Sequence, residues 1–220
     1  MSERSIFDVT KTRSELFFNP NSGSTSDISA IRTSLETLLM PAIRVHPTVA
    51  EIPHEDELFE SVKDNIVGYV TRTEEFCTNL TPEYISDSLD DCDAVLRIES
   101  SAIRNKILYG FAIIAFKDSE LYIDTICANS SVKGAGTYMI QLLTDIARHS
   151  GLSSITLNSV TSAVGFYIKQ GFRCNGDDGL CPMSKTISTL GGKRKRKHKS
   201  RKSLHKKNKK SRKTYRRRLN

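Results

Sequence analysis

The chain has 220 residues, 38% of them apolar, with 33 Lys and Arg against 25 Asp and Glu and a formal net charge of +8. That length suits one domain with extensions; no apolar run reaches the 18 residues of a membrane span, and residues 1–18 lack the apolar stretch of a secretory signal. The cysteines, Cys77, Cys92, Cys127, Cys174 and Cys181, form no CxxC and no zinc-ligand spacing, so reduced thiols inside a cell and no metal are expected.

Residues 1–18 carry Ile6, Phe7, Val9, Leu16, Phe17 and Phe18 without a clear period. Asn19 to Ser26 is rich in Pro, Asn, Gly and Ser and reads as a linker. From Asp27 a helix is expected: Ile28, Ile31, Leu35, Leu38 and Leu39 keep one face, and Pro41 stops it. Such a face usually covers the protein's own core, a reading preferred here over a partner-binding helix. Residues 1–40 thus read as an N-terminal extension. Ala42 to His46 is a candidate strand. Pro53, followed by Glu55, Asp56 and Glu57, starts a helix with acids at its positive end and Leu58, Phe59, Val62, Ile66 and Tyr69 on its apolar face. Thr71 to Asp91 is acidic and turn-rich and reads as a loop.

Ala94–Glu99 and Ile107–Phe116 read as an antiparallel pair about the turn 100–106. The second run, ILYGFAIIAF, is nearly all apolar, as a strand buried on both faces should be. Leu121 to Cys127 is the next strand, with Leu121, Ile123, Thr125 and Cys127 on one side of the alternation. Then comes KGAG, 133–136. A helix follows, with Met139, Leu142, Leu143 and Ile146 on one face and Gly151 at its end. Strand, glycine loop and helix N-terminus together make an anion site, because free N–H groups and the helix dipole face the anion. It is neither a Walker A loop, since GxxxxGK[ST] is absent, nor a Rossmann fingerprint, since Met139 stands at the third glycine position. A GxG before a helix is by itself a weak signal. Ile155–Val160 reads as a strand and 163–172 as a helix. A last strand pair is expected near Phe172–Asn175 and Met183–Ile187.

The charge is segregated. Of the 33 basic residues, 17 lie in 191–220, which holds no acid; residues 1–190 keep 16 against all 25 acids, a net of −9. The positive charge therefore belongs to the tail. The tail has almost no apolar residues, reads as disordered, and is expected to bind nucleic acid non-specifically. Lys193–Lys197 and Lys206–Lys210 look like nuclear-localisation clusters. In composition alone the tail resembles basic C-terminal tails of large DNA virus, ribosome-associated and chromatin-associated proteins, so an intracellular place, in a nucleus or a virion, is expected.

The segment 163–172, AVGFYIKQGF, resembles the closing helix of the GCN5-related N-acetyltransferases, whose pattern is A-x-x-F/L-Y-x-K-x-G-F. The segment 131–136, SVKGAG, resembles the same family's acetyl-CoA motif, Q/R-x-x-G-x-G/A, with Ser131 in place of Gln or Arg and Lys133 where Arg is common. The two lie in family order and at family spacing, and the resemblance covers about residues 95–187. It implies an α+β fold, a central mixed twisted sheet flanked by helices, in a domain at 41–190. It implies acetyl-CoA as co-substrate and a primary amine as acceptor. Backbone amides of Val132, Lys133, Gly134, Ala135, Gly136 and Thr137 would hold the pyrophosphate. Main-chain groups of Ile126, Cys127 and Ala128 would pair with the pantetheine arm. Tyr167 would be the general acid and Glu99 or Asp124 the general base. The family asparagine before the closing helix has no clear counterpart; Asn158 is near. Residues 71–91 would help form the acceptor groove, where Glu74, Glu75, Glu83, Asp87, Asp90 and Asp91 would make a negative rim. The alternative reading is a nucleic-acid-binding protein on a catalytically inactive scaffold of this fold.

Overall fold

The structure, a computed structural model, describes residues 5–22, 26–38, 42–46, 55–73, 76–77, 80–102, 104, 106–176 and 180–188. The basic tail, Glu74 and Glu75 lie outside these residues. Eight strands form one mixed sheet in the order β3-β2-β4-β5-β6-β8-β10-β9. They are β2 (Thr12–Phe18), β3 (Arg44–Val45), β4 (Ala94–Ser100), β5 (Leu108–Lys117), β6 (Glu120–Ala128), β8 (Ser154–Ser159), β9 (Arg173–Cys174) and β10 (Cys181–Thr186). A second, two-stranded parallel pair joins β1 (Ser5–Ile6) to β7 (Val132–Lys133). The helices are α1 (Ser26–Leu38), α2 (Glu55–Arg72), α3 (Pro82–Asp90), α4 (Ala135–His149) and α5 (Val164–Lys169). Among the described residues no helix is long and apolar enough to cross a membrane.

The sheet is buried on both sides, and alternation along its strands decides which residue serves which core. Leu96 and Ile98 of β4 and Ala112 and Ile114 of β5 pack with Leu35 of α1 and with Met139, Leu143 and Ile146 of α4. Val95, Phe111 and Ile113 pack on the other side with Phe59, Val62 and Ile66 of α2 and Ile85 and Leu89 of α3. Helix α1 thus covers its own domain, and Ser34 Oγ donates to the His149 carbonyl at 3.1 Å. Close approach of α4 to β5 needs Gly110: a Cβ there would lie 2.7 Å from Met139 Cε and 2.6 Å from the Cys127 carbonyl oxygen.

Three expectations are corrected. Residues 12–18 are no appendage; β2 pairs antiparallel with β4 along all seven residues, Thr12 opposite Ser100 to Phe18 opposite Ala94. The reading of 71–91 as a loop misses α3, whose start is fixed by Thr81, with its hydroxyl accepting from Tyr84 N at 3.2 Å, and by Pro82 in the first turn. Four of the five thiols are not free. Cys77 and Cys127 form a disulfide across 50 residues with Cα atoms 5.6 Å apart, and Cys174 and Cys181 form another across the β9–β10 hairpin at 5.8 Å. Both separations suit a disulfide. Folding, not sequence spacing, brings these pairs together. Cys92 is free and buried; burial, helped by neighbouring Asp93, pushes its thiol up to about 12.

Candidate active site

The site begins where two strands part. β6 pairs antiparallel with β5 from Glu120 to Ala128, but it pairs parallel with β8 only from Glu120–Ser154 to Ile123–Leu157. A β-bulge marks the parting: Ile113 and Ile114 of β5 face Thr125 and Ile123, which leaves Asp124 without a partner. Such a bulge bends the strand and raises its twist. Beyond it lies a cleft of about 570 Å³, lined by the free edge of β6 from Asp124 to Ala128 and by Leu157–Val160. Cys77, Leu80, Tyr84, Ala163 and Tyr167 also line it.

The glycine loop follows β6 directly. Asn129 Oδ1 accepts from the amide of Ser131 at 2.9 Å and from its hydroxyl at 2.5 Å, and Val132 N donates to the Asn129 carbonyl at 3.0 Å. Ser131 is thus engaged within the turn. Gly134 caps α4 at φ +107°, a left-handed conformation that glycine adopts without steric cost, and no side chain caps the helix. The amides of Ala135, Gly136 and Thr137 stand in the first turn, where an α-helix has no carbonyl for them. They and the dipole make the start of α4 attractive to an anion.

The second sequence motif meets the first here. A Cβ on Gly136 would sit 3.4 Å from Phe166 Cζ and 3.6 Å from Ala128 Cβ. Gln170 Nε2 donates to Thr137 Oγ1 at 3.3 Å. Tyr167 is buried, with its ring edge-on to Phe166 at 5.1 Å and to Phe172 at 5.6 Å, and it lines the cleft. Burial pushes its phenol up to about 12. The N-terminal residues brace the same loop. Phe7 N donates to the Lys133 carbonyl at 3.1 Å, and the Phe7 ring lies 5.0 Å from Tyr138 and 5.7 Å from Tyr109.

The two base candidates separate. Asp124 lines the cleft at the bulge and accepts from Thr125 Oγ1 at 3.2 Å. Glu99 is buried on β4 and does not line the cleft; it faces Lys106 Nζ at 3.2 Å and Arg97 Nη2 at 3.7 Å. Ile126, Cys127 and Ala128 line the cleft; Val132 and Lys133 form β7, Gly134 caps α4 and Ala135 to Thr137 begin it, and none of these six lines the cleft. Asn158 lines it too, its side-chain amide 3.5 Å from the Tyr122 hydroxyl.

A second pocket of about 400 Å³ adjoins through shared residues Tyr84, Tyr122 and Asp124, and it adds Asp87 and Asp91 of the α3 region and Lys117. Burial, and then the charge of Asp124, raises the Tyr122 phenol. Asp90 is ion-paired with Lys63. Sequence reasoning singled out the acids but missed Tyr84, Tyr122 and Cys77 as site residues. The tyrosines carry no local signal beyond alternation and helix register, and no local pattern links Cys77 to Cys127, 50 residues away.

The model of the acetyltransferase (GNAT) family matches residues 46–172, more than half of the chain. The chain belongs to the GNAT family. Among solved structures it is similar to Tetrahymena GCN5, at 14% identity over 64% of this chain and 93% of that one, with a TM-score of 0.44. It is similar to Ard1 from Thermoplasma volcanium, at 14% identity over 56% and 93%, with a TM-score of 0.45. It is also similar to nourseothricin acetyltransferase, at 18% identity and a TM-score of 0.39, over 43% of this chain and 65% of that one, just under two thirds of its length. No curated protein matches the chain. The fold is a mixed α+β sheet flanked by helices, in which segments 131–136 and 163–172 meet where Gly136 faces Phe166.

Proposed function

We propose that this GNAT protein transfers an acetyl group from acetyl-CoA to a primary amine: a small amine, a polyamine, or a protein lysine or N-terminus. The observation that carries the reading is the start of α4, which no side chain caps, packed against Ala128 at the end of the cleft where β6 leaves β8. The pyrophosphate lies on the amides of residues 132–137. The pantetheine arm runs along the free edge of β6 at Ile126–Ala128, where unpaired backbone groups take its amides. The amine nitrogen attacks the thioester carbonyl, the C–S bond breaks, and Tyr167 protonates the departing thiolate. Its phenol is suited to this role because burial keeps it protonated. Asp124 takes the proton of the attacking ammonium, directly or through one water; Glu99 is the alternative and is already engaged by Lys106 and Arg97. Positioning does most of the work, since the thioester is already activated.

The pocket beside the cleft, with Asp87, Asp91 and Asp124, favours a cationic acceptor, with an aminoglycoside among the small amines. The tail 191–220, with 17 basic residues and no acid, binds nucleic acid through its phosphates. Calorimetry with acetyl-CoA and a screen of amine acceptors read by thiol release test the reading. Binding with turnover of at least one cationic amine is expected. Failure to bind acetyl-CoA would favour a nucleic-acid-binding protein on an inactive scaffold.

A further inference from the structure

Acetyl transfer leaves the Cys77–Cys127 disulfide without a role, yet both residues line the cleft. Cys127 lies on β6 between Ile126 and Ala128, the stretch assigned to the cofactor arm. Cys77 is half-buried, in a left-handed conformation at φ +59°, in the segment joining α2 to α3. The bond thus ties the acceptor side of the cleft to the cofactor side. The reaction assigned to the cleft also releases a thiol there at every turnover.

We propose that this disulfide is a reaction site for that thiol: free coenzyme A exchanges with it and is held as a mixed disulfide on Cys127. The inference rests on the reading of the cleft as a coenzyme A site. The step is a thiol–disulfide exchange and needs no outside oxidant. The coenzyme A thiolate attacks Cys127 Sγ, a new S–S bond forms, the Cys77–Cys127 bond breaks, and Cys77 leaves as a thiolate that takes a proton from water. Cys77 is the better leaving group because it is more exposed, so its thiolate is better hydrated than one at Cys127, which is 5% exposed. Acetyl-CoA has no free thiol and cannot react. Attack by the Cys77 thiolate on the mixed disulfide reverses the step. The adduct fills the cleft, so the site closes when free coenzyme A accumulates relative to acetyl-CoA.

The test uses the full chain prepared without reductant. It is incubated with coenzyme A, with glutathione and with S-methyl-coenzyme A, and its intact mass and non-reduced peptides are measured beside acetyl-CoA calorimetry. Coenzyme A should add once, on the Cys127 peptide, at least about ten-fold faster than glutathione because binding places its thiol. S-methyl-coenzyme A should add nothing. The adduct should lose acetyl-CoA binding, and dithiothreitol should restore it. Cys174→Ser should keep the adduct, and Cys77→Ser, which has no disulfide to exchange, should not form it. Acetyl-CoA binding without any mass gain would overturn the exchange and leave the acetyltransferase reading intact. No binding of acetyl-CoA would overturn both. Free thiols at Cys77 and Cys127 in the starting protein, an adduct on another cysteine, or equal rates with glutathione would also overturn it.

Discussion

At Gly136 the missing side chain serves two neighbours at once: Phe166 stands 3.4 Å and Ala128 3.6 Å from where a Cβ would be. A branched residue there would push α5 away from the start of α4 and fill the approach to the loop amides. Gly136→Val should therefore abolish acetyl-CoA binding, and Gly134→Val should do the same through its positive φ. Calorimetry on folded variants checks this; wild-type affinity in either would remove the loop from the site. As the proposed general acid, Tyr167 would act late, as negative charge builds on sulfur. Tyr167→Phe keeps the ring contacts with Phe166 and Phe172, so it should lower kcat on the order of 100-fold or more while acetyl-CoA affinity changes little. Burial raises this phenol to about 12, so it stays protonated throughout the neutral range. Any fall in rate between roughly pH 6 and 9 therefore belongs to another group and should survive in the variant. A limb that vanishes with the phenol would contradict the burial argument.

At the scale of elements, β2 shows why part of the fold was hidden in the sequence. Its run TRSELFF buries Ser14 and Glu15 among apolar residues, so no alternation announces a strand. Glu15 is tolerated because Arg97 Nη2 on β4 lies at 2.6 Å and His46 Nε2 at 3.2 Å. Burial pushes the Glu15 carboxyl up, but the hydrogen bonds from His46 and Arg97 and their charges outweigh it and bring it down to about 2. A depressed carboxylate contributes stability that is present above its unfolded value near 4.5 and is lost as pH falls toward 2. Glu15→Gln removes the nearer of the two carboxylates on the buried Arg97, leaving Glu99 at 3.7 Å, and should cost on the order of 2 kcal/mol at neutral pH. Denaturant midpoints across pH should show that gap closing between about 4.5 and 2, and a constant gap would mean that packing, not charge, is lost. The β6–loop–α4 unit was legible because its signals are local: alternation, two glycines and a 3.6-residue stripe. Helix α3 was less so, with only Ile85 and Leu89 buried among polar neighbours, although Thr81-Pro82-Glu83 is a readable start. The β1–β7 pairing and the Cys77–Cys127 bond join residues far apart in the chain, which no local pattern records.

At the scale of the whole molecule, charge is divided between two stretches of chain. Residues 1–190 carry a net −9 and hold both family motifs, and residues 191–220 carry seventeen positive charges. Deleting 191–220 should leave acetyl-CoA binding and turnover of a free small amine unchanged. It should abolish retention on DNA and RNA, and retention of the full chain should fall steeply across a salt series through counterion release. Should the acceptor itself be bound to nucleic acid, the truncated protein would lose activity on it alone. Salt-sensitive retention after truncation would put the nucleic-acid surface on residues 1–190, and lost turnover of small amines would make the tail part of the site.

The four-residue partnership between β6 and β8 has a consequence in time as well as in space. Past Ile123, alternate amides of β6 point toward a neighbour that has turned away, so one edge of a central strand lies open to solvent exchange while the other is locked to β5. A cofactor arm laid along that edge acts as a short stand-in strand. Amide hydrogen exchange should then slow on alternate residues of 124–128 when acetyl-CoA is added, with their β5-facing neighbours already slow beforehand. The protein would complete its sheet only for as long as it holds its substrate.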